Sequence, residues 1–225
     1  MKKFRRWNRG LLLGAALIVG IIIFQSADQA RFQQSVPAIS SRIQNYMTNC
    51  VAALTNAKDK SEAQNAFLEN VNQFWSNNTR SRNYYASSRS DFYSYLSGSA
   101  ESEEYGLSAA IPLALNLNIT GCRIQKNGPG ACTALVTYEQ DAWLDQYGTY
   151  LSPFYMDYAY DTQSDTGDDA TPASVSSGED AIRITSQQQV LLQLYEENGE
   201  WKIATASPQG SYSDSSIVKR TEVPV

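Results

Sequence analysis

Apolar positions along the chain fall into three successive regimes. Residues 11–24, LLLGAALIVGIIIF, form an uncharged run in which Leu11, Leu12, Leu13, Leu17, Ile18, Val19, Ile21, Ile22, Ile23 and Phe24 are spaced too densely for an amphipathic face. From Asp28 to about Ala57 the apolar residues thin to Phe32, Val36, Ile39, Ile43, Tyr46, Met47, Cys50, Val51 and Leu54. That three-and-four spacing predicts a helix, with Pro37 as its start or its kink because proline supplies no amide donor. Ser61 followed by Gln64 has the form of a capping box ahead of a second helix carrying Ala63, Phe67, Leu68, Val71, Phe74 and Trp75. A short third helix is predicted near Ser90–Leu96, inside a serine- and tyrosine-rich stretch.

Beyond residue 110 the period drops to two. Ile111, Leu113, Leu115, Leu117 and Ile119 alternate as in a half-buried strand, and Gly121 allows a bulge that shifts Cys122 and Ile124 in phase. A partner strand over about 131–138 leads into an irregular aromatic stretch from Trp143 to Tyr160. Ile182, Ile184, Val190, Leu192 and Leu194 share one parity, and Asn198-Gly199 turns the chain into Trp201, Ile203 and Thr205, which predicts a hairpin. Residues 208–225 show no period and are expected to be a tail.

Charge gives the apolar run a direction. Lys2, Lys3, Arg5, Arg6 and Arg9 precede it with no acid among them, the order expected of a segment whose start stays cytoplasmic and whose continuation is exported. The run from Gly10 to Phe24 would rise only about 22 Å as a helix against a hydrocarbon core of roughly 30 Å, so a cleaved signal peptide stands beside a retained anchor. Asp28, three residues before Ala30, spoils a small-x-small cleavage site, while Trp7 and snorkelling cations suit an anchor. The expected organisation is a basic tail at 1–9, a transmembrane anchor at 10–27, an extracytoplasmic domain at 28–207 and the tail.

Without the five N-terminal cations the chain keeps 13 Lys and Arg against 23 Asp and Glu, a net charge of −10. Such a surface repels polyanions, so no direct nucleic-acid contact is expected. Histidine is absent, which excludes histidine triads, histidine bases and most zinc sites. No catalytic residue, cofactor or metal ligand set is expected. Residues 161–180 read as a mobile acidic loop; its Asp161, Asp165, Asp168 and Asp169 lack the closing glutamate of an EF-hand calcium loop. Cys122 and Cys132 flank Asn127-Gly128-Pro129-Gly130, and a hairpin centred near Asn127 would let them form a disulfide, or leave two small buried thiols on neighbouring strands. Cys50 is expected inside a helix seam. Asn77-Asn78-Thr79 and Asn118-Ile119-Thr120 are formal sequons, coincidental in a chain of bacterial character.

Two or three helices followed by four or more antiparallel strands give an α+β fold with helices on one face of a curved sheet. This order, with its closing NGEWKIATA hairpin, resembles the nuclear transport factor two-like cone fold over about residues 30–207. With the basic tail and single anchor added, the chain is similar to the bitopic assembly proteins of type IV secretion and conjugation systems. That resemblance implies a single-pass, non-enzymatic scaffold whose partners are the membrane, other envelope subunits and a second copy of itself. The acidic loop departs from the pattern. Two other functions follow from the same fold: an exported small-ligand or cell-surface binding module using its tyrosines and tryptophans, and a cone-fold isomerase or dehydratase using a tyrosine with a carboxylate.

Overall fold

The computed structural model of the chain describes residues 9–77, 86–96, 110–159 and 179–224. Two units are distinguished, dividing between Ile39 and Ser40. Lys2, Lys3, Arg5 and Arg6, most of the acidic loop at 161–180 and the first sequon's Asn78 lie outside the described residues.

Helix α1 runs from Arg9 to Thr55 as one 47-residue element with Pro37 inside it. The helix does not start at Pro37, which lies well inside it. Gln33, whose carbonyl loses its amide partner, and Pro37 are both exposed, so solvent can serve that carbonyl. In the first unit Leu17, Ile18, Val19, Ile21, Ile23 and Phe24 are exposed by 53–67%. The side chains of Arg9, Leu11, Leu12, Leu13 and Ile22 lie outside the described set. Among the described residues no helix is long and apolar enough to cross a membrane.

In the second unit α1 buries Ile43, Tyr46, Met47, Cys50 and Leu54, the face the sequence predicts. Helix α2 spans Lys60–Phe74 and is capped two residues earlier than the Ser61 box implies. Asp59 Oδ1 accepts from the Glu62 amide at 2.9 Å, and Glu62 Oε2 reaches back to the Lys58 amide at 2.9 Å. A carboxylate caps at least as well as a hydroxyl and also favours the positive end of the helix. Helix α3 covers Arg89–Leu96.

Strands β1 (Ala114–Gly128), β2 (Ala131–Leu144), β5 (Asp180–Glu197) and β6 (Glu200–Lys219) form an antiparallel sheet in the order β1-β2-β5-β6. Between β2 and β5 the chain makes a separate two-stranded hairpin of β3 (Gly148–Leu151) and β4 (Met156–Ala159). The fold is therefore α+β with a four-stranded antiparallel sheet. The β1 register shifts between Ile119 and Gly121, at the predicted bulge. Asn198 and Gly199 both take positive φ, 53° and 82°, as a tight Asn-Gly hairpin requires.

The expected tail from Pro208 is instead the second half of β6, paired with β5 as far as Asp180↔Lys219. Pro208 sits on this edge strand, and the sheet tolerates it because no further strand needs its missing amide. Aromatic rings fill the space between helices and sheet. Tyr46 lies 5.7 Å from Phe74, 6.0 Å from Trp75 and 5.5 Å from Phe154, and Phe154 lies 5.8 Å from Tyr138. Trp75 and Phe67 continue the cluster onto Phe92 of α3, at 5.1 and 5.5 Å.

Candidate functional site

The inward faces of β2 and β5 are apolar except at their centre. Val136 opposes Val190 and Ala142 opposes Ile184, but between them Tyr138 faces Gln188 and Gln140 faces Ser186. All four of these central residues are buried. The β3–β4 hairpin lies over this polar island and adds Tyr150, Ser152, Tyr155 and Asp157.

A continuous hydrogen-bond network joins them. Gln140 donates from Nε2 to the Tyr150 hydroxyl at 2.9 Å, and Tyr150 donates to Asp157 Oδ2 at 2.9 Å. Gln188 Nε2 also reaches Asp157 Oδ2, at 3.0 Å, and Ser186 Oγ, at 3.1 Å. Tyr155 donates to Gln188 Oε1 at 2.6 Å, and Ser152 to Gln140 Oε1 at 3.1 Å. The Tyr158 amide occupies Asp157 Oδ1 at 2.9 Å. Tyr46 donates to the Pro153 carbonyl. Among the described residues the buried Tyr138 hydroxyl makes no hydrogen bond of good geometry, with Ser152 and Tyr155 its polar neighbours.

Burial raises the Asp157 carboxyl above its ordinary 3.8, while bonds from the Tyr158 amide, Tyr150 and Gln188 hold it down. Burial also raises Tyr150, with the neighbouring Asp157 charge adding to it, and raises Tyr155 and Tyr138 likewise. These phenols are neutral at physiological pH; Tyr150 donates to Asp157 directly, and Tyr155 connects to it through Gln188. A tyrosine beside a raised carboxylate could move a proton. Here, however, both oxygens of the half-buried Asp157 accept from protein donors, Oδ2 from Tyr150 and Gln188 and Oδ1 from the Tyr158 amide. Among the described residues, cavities of about 490, 520 and 340 Å³ lie elsewhere, on the outer sheet face, along the α1–β1 seam and between α1 and α2. Among the described residues no three His, Cys, Asp or Glu side chains converge as metal ligands would.

Cys122 and Cys132 are not brought together. The β1–β2 turn closes at Pro129-Gly130 rather than near Asn127, and the register sets Cys122 opposite Val136 and Cys132 opposite Lys126. Four ladder positions separate them, up to about 13 Å of strand rise, whereas a disulfide needs Cα atoms roughly 4.4–6.8 Å apart. Cys122 is exposed and Cys132 buried, and all three cysteines are free. Burial pushes the Cys132 thiol, with Cys122 adding to it, and the Cys50 thiol each up to about 12. Asn118 of the second sequon is an exposed β1 residue bonded to Glu139 at 3.1 Å.

The polar island was signalled in the sequence by a gap. The inward parity of β5 runs Ile182, Ile184, then Ser186 and Gln188, then Val190, Leu192 and Leu194, so two polar residues fall where apolar ones are due. Nothing local marks Tyr150, Tyr155 and Asp157 as their partners.

No protein-family model matches the chain, and no curated protein sequence matches it. Among solved structures the chain is similar to a hexachlorocyclohexane dehydrochlorinase (LinA, type 2), with a TM-score of 0.40 and 8% identity over 81% of this chain and 93% of that one.

Proposed function

We propose that the chain is a non-enzymatic scaffold subunit of a cell-envelope complex, held to the membrane by its N-terminal segment and presenting a cone-like domain of the nuclear transport factor two-like kind outside it. The observation that carries this reading is the side-chain packing around the inner polar groups among the described residues. A cone that binds or converts a small molecule keeps room beside its polar groups. In this domain Phe154 packs on Tyr138, Tyr150 is bonded to Gln140 and Asp157, and Asp157 is bonded through both oxygens to its own chain.

The exposed apolar side chains from Leu17 to Phe24 support the anchor, since a helix apolar on all sides belongs in an apolar medium. The sequence run is short, so tilt is unnecessary and local thinning of the bilayer would complete the span. A conjugative or type IV secretion channel is the assembly that best suits one basic tail, one anchor and one acidic outer domain. Its partners would be channel subunits or further copies of this chain.

Chemical cross-linking in the native membrane, followed by purification of the intact chain and mass spectrometry, tests the proposal. Reproducible links to envelope proteins are expected, together with peptides that retain residues 11–24. Recovery of the chain alone, a mature N-terminus near Asp28, or turnover by the purified domain would each overturn it.

A further inference from the structure

The outer face of the same sheet carries a groove of about 490 Å³, and its side chains form ordered rows. Asn118 opposes Glu139, Glu139 opposes Gln187, and Gln187 opposes Tyr212, so one row crosses all four strands. At a strand spacing of roughly 4.8 Å that row extends about 14 Å. Two residues along, Asn116, Asp141 and Thr185 form a parallel row lining the same groove. The Tyr212 ring is 74% exposed at one end.

A second groove, of about 520 Å³, adjoins the first across β1 and shares Asn116, Leu117 and Asn118 with it. Its far wall is α1, where the uncharged polar groups of Gln44, Thr48, Thr55 and Asn56 flank the apolar Met47, Val51 and Ala52. Both volumes lie within the range of small-ligand sites, and their shared β1 residues make the surface continuous around the sheet edge.

We infer that this surface binds a neutral oligosaccharide. The lining selects the class of ligand by what it offers and by what it lacks. Amides of Asn116 and Gln187 both donate and accept, and the Glu139 carboxylate, which already accepts from Asn118 Nδ2 at 3.1 Å, has a second oxygen to accept from hydroxyls, which suits a ligand whose every substituent does both. The Tyr212 ring offers a flat apolar face to the C–H side of a sugar ring, with its own hydroxyl as a polar handle. Among the described residues no lysine or arginine lines either groove, and the Glu139 carboxylate would repel an anion, the Asp141 charge being offset by Arg183. In the first groove Leu117 and Tyr212 are the large apolar groups, a smaller apolar centre than a lipid or protein partner needs. A divalent cation is ill served, because the Asp141 carboxylate is already held by Arg183 at 2.7 Å.

This inference stands independently of the scaffold proposal, since either could fail alone. The full-length chain in phosphatidylcholine nanodiscs, which carry no sugar headgroup, would be titrated calorimetrically with maltohexaose, cellohexaose, mannohexaose and the hexamer of N-acetylglucosamine. At least one is expected to bind saturably, with hexagalacturonate silent. Tyr212→Ala and Gln187→Ala should each weaken that binding by about tenfold, the size of one lost stacking or polar contact. Thermal unfolding of both variants should stay unchanged, because both side chains are exposed. Failure of all four neutral hexamers to bind, binding of the acidic hexamer, or binding indifferent to both substitutions would overturn the inference.

Discussion

The two faces of β2 and β5 hold similar polar side chains and use them in opposite ways. On the inner face Gln140, Ser186 and Gln188 are buried and bonded to Tyr150, Ser152, Tyr155 and Asp157. On the outer face Glu139, Thr185 and Gln187, their immediate neighbours in sequence, face solvent along an open groove. A polar group taken out of water costs free energy unless a partner replaces that water, so the inner set must be mutually satisfied and has little capacity left for a ligand. The outer set is exposed, and apart from the bond from Asn118 to Glu139 its polar groups are open to water that a ligand can replace. Residue type alone therefore does not locate a site; the side of the sheet does.

The largest test of this contrast removes the ring that seals the inner face. Phe154 is fully buried between Tyr46 and Tyr138, and Phe154→Ala should cost about 3–5 kcal/mol of unfolding free energy. Tyr212→Ala, a deletion of similar size on the outer face, should stay within about 0.5 kcal/mol. Urea unfolding of the two variants would measure both. Equal losses would mean that the outer row is also part of the packed structure.

A smaller effect comes from the charge at the end of the inner network. Asp157 has a folded pKa raised above 3.8, so it holds its proton more firmly folded than unfolded. Its contribution is fully present below pH 3.8 and is lost as pH rises through the raised folded value. Asp157→Asn should remove that component, leaving a variant whose stability relative to the parent improves as pH climbs out of the acid range. Above pH 10 the buried Tyr138, Tyr150 and Tyr155, all raised, add a loss of the same sign in both proteins. Thermal midpoints measured across pH would separate the two windows. A parent and variant with parallel profiles below pH 8 would show that Asp157 is not the group responsible.

Legibility in the sequence followed how local each constraint is. The Asn198-Gly199 turn was readable because the backbone there takes positive φ at two successive residues, which few side chains permit. The Ile119–Gly121 bulge and the buried face of α1 were readable for similar reasons: a phase change and a period. The second half of β6 was not, because SPQGSYSDSSIVK lacks a hydrophobic alternation and is held by its ladder to β5. Propensity along one segment does not reveal a partner strand. The helix cap was misplaced by two residues since Asp59 and Ser61 each satisfy the same local rule, and only the backbone decides between them. Half of the inner network announced itself as the gap at Ser186 and Gln188. The other half, Tyr150, Tyr155 and Asp157, depends on the β3–β4 hairpin folding across the sheet, a tertiary event that no spacing records.

The cysteines give the finest version of the comparison, with thiols at inward-parity positions of adjacent strands. Gln140 and Cys132 share the covered parity of β2 and are both buried, whereas Cys122 on edge strand β1 lies beyond the cover and is exposed. Cys122→Ser should therefore change stability by less than about 0.5 kcal/mol, the range of ordinary surface substitutions. A maleimide should label Cys122 in the native chain and reach Cys132 and Cys50 only on unfolding, because burial both hides those thiols and keeps them protonated near neutral pH. Peptide mapping after native labelling would check this. Modification of Cys132 at the rate of Cys122 would show that the β1 edge opens under native conditions, while a Cys122–Cys132 linked peptide would require the β1–β2 register to slip.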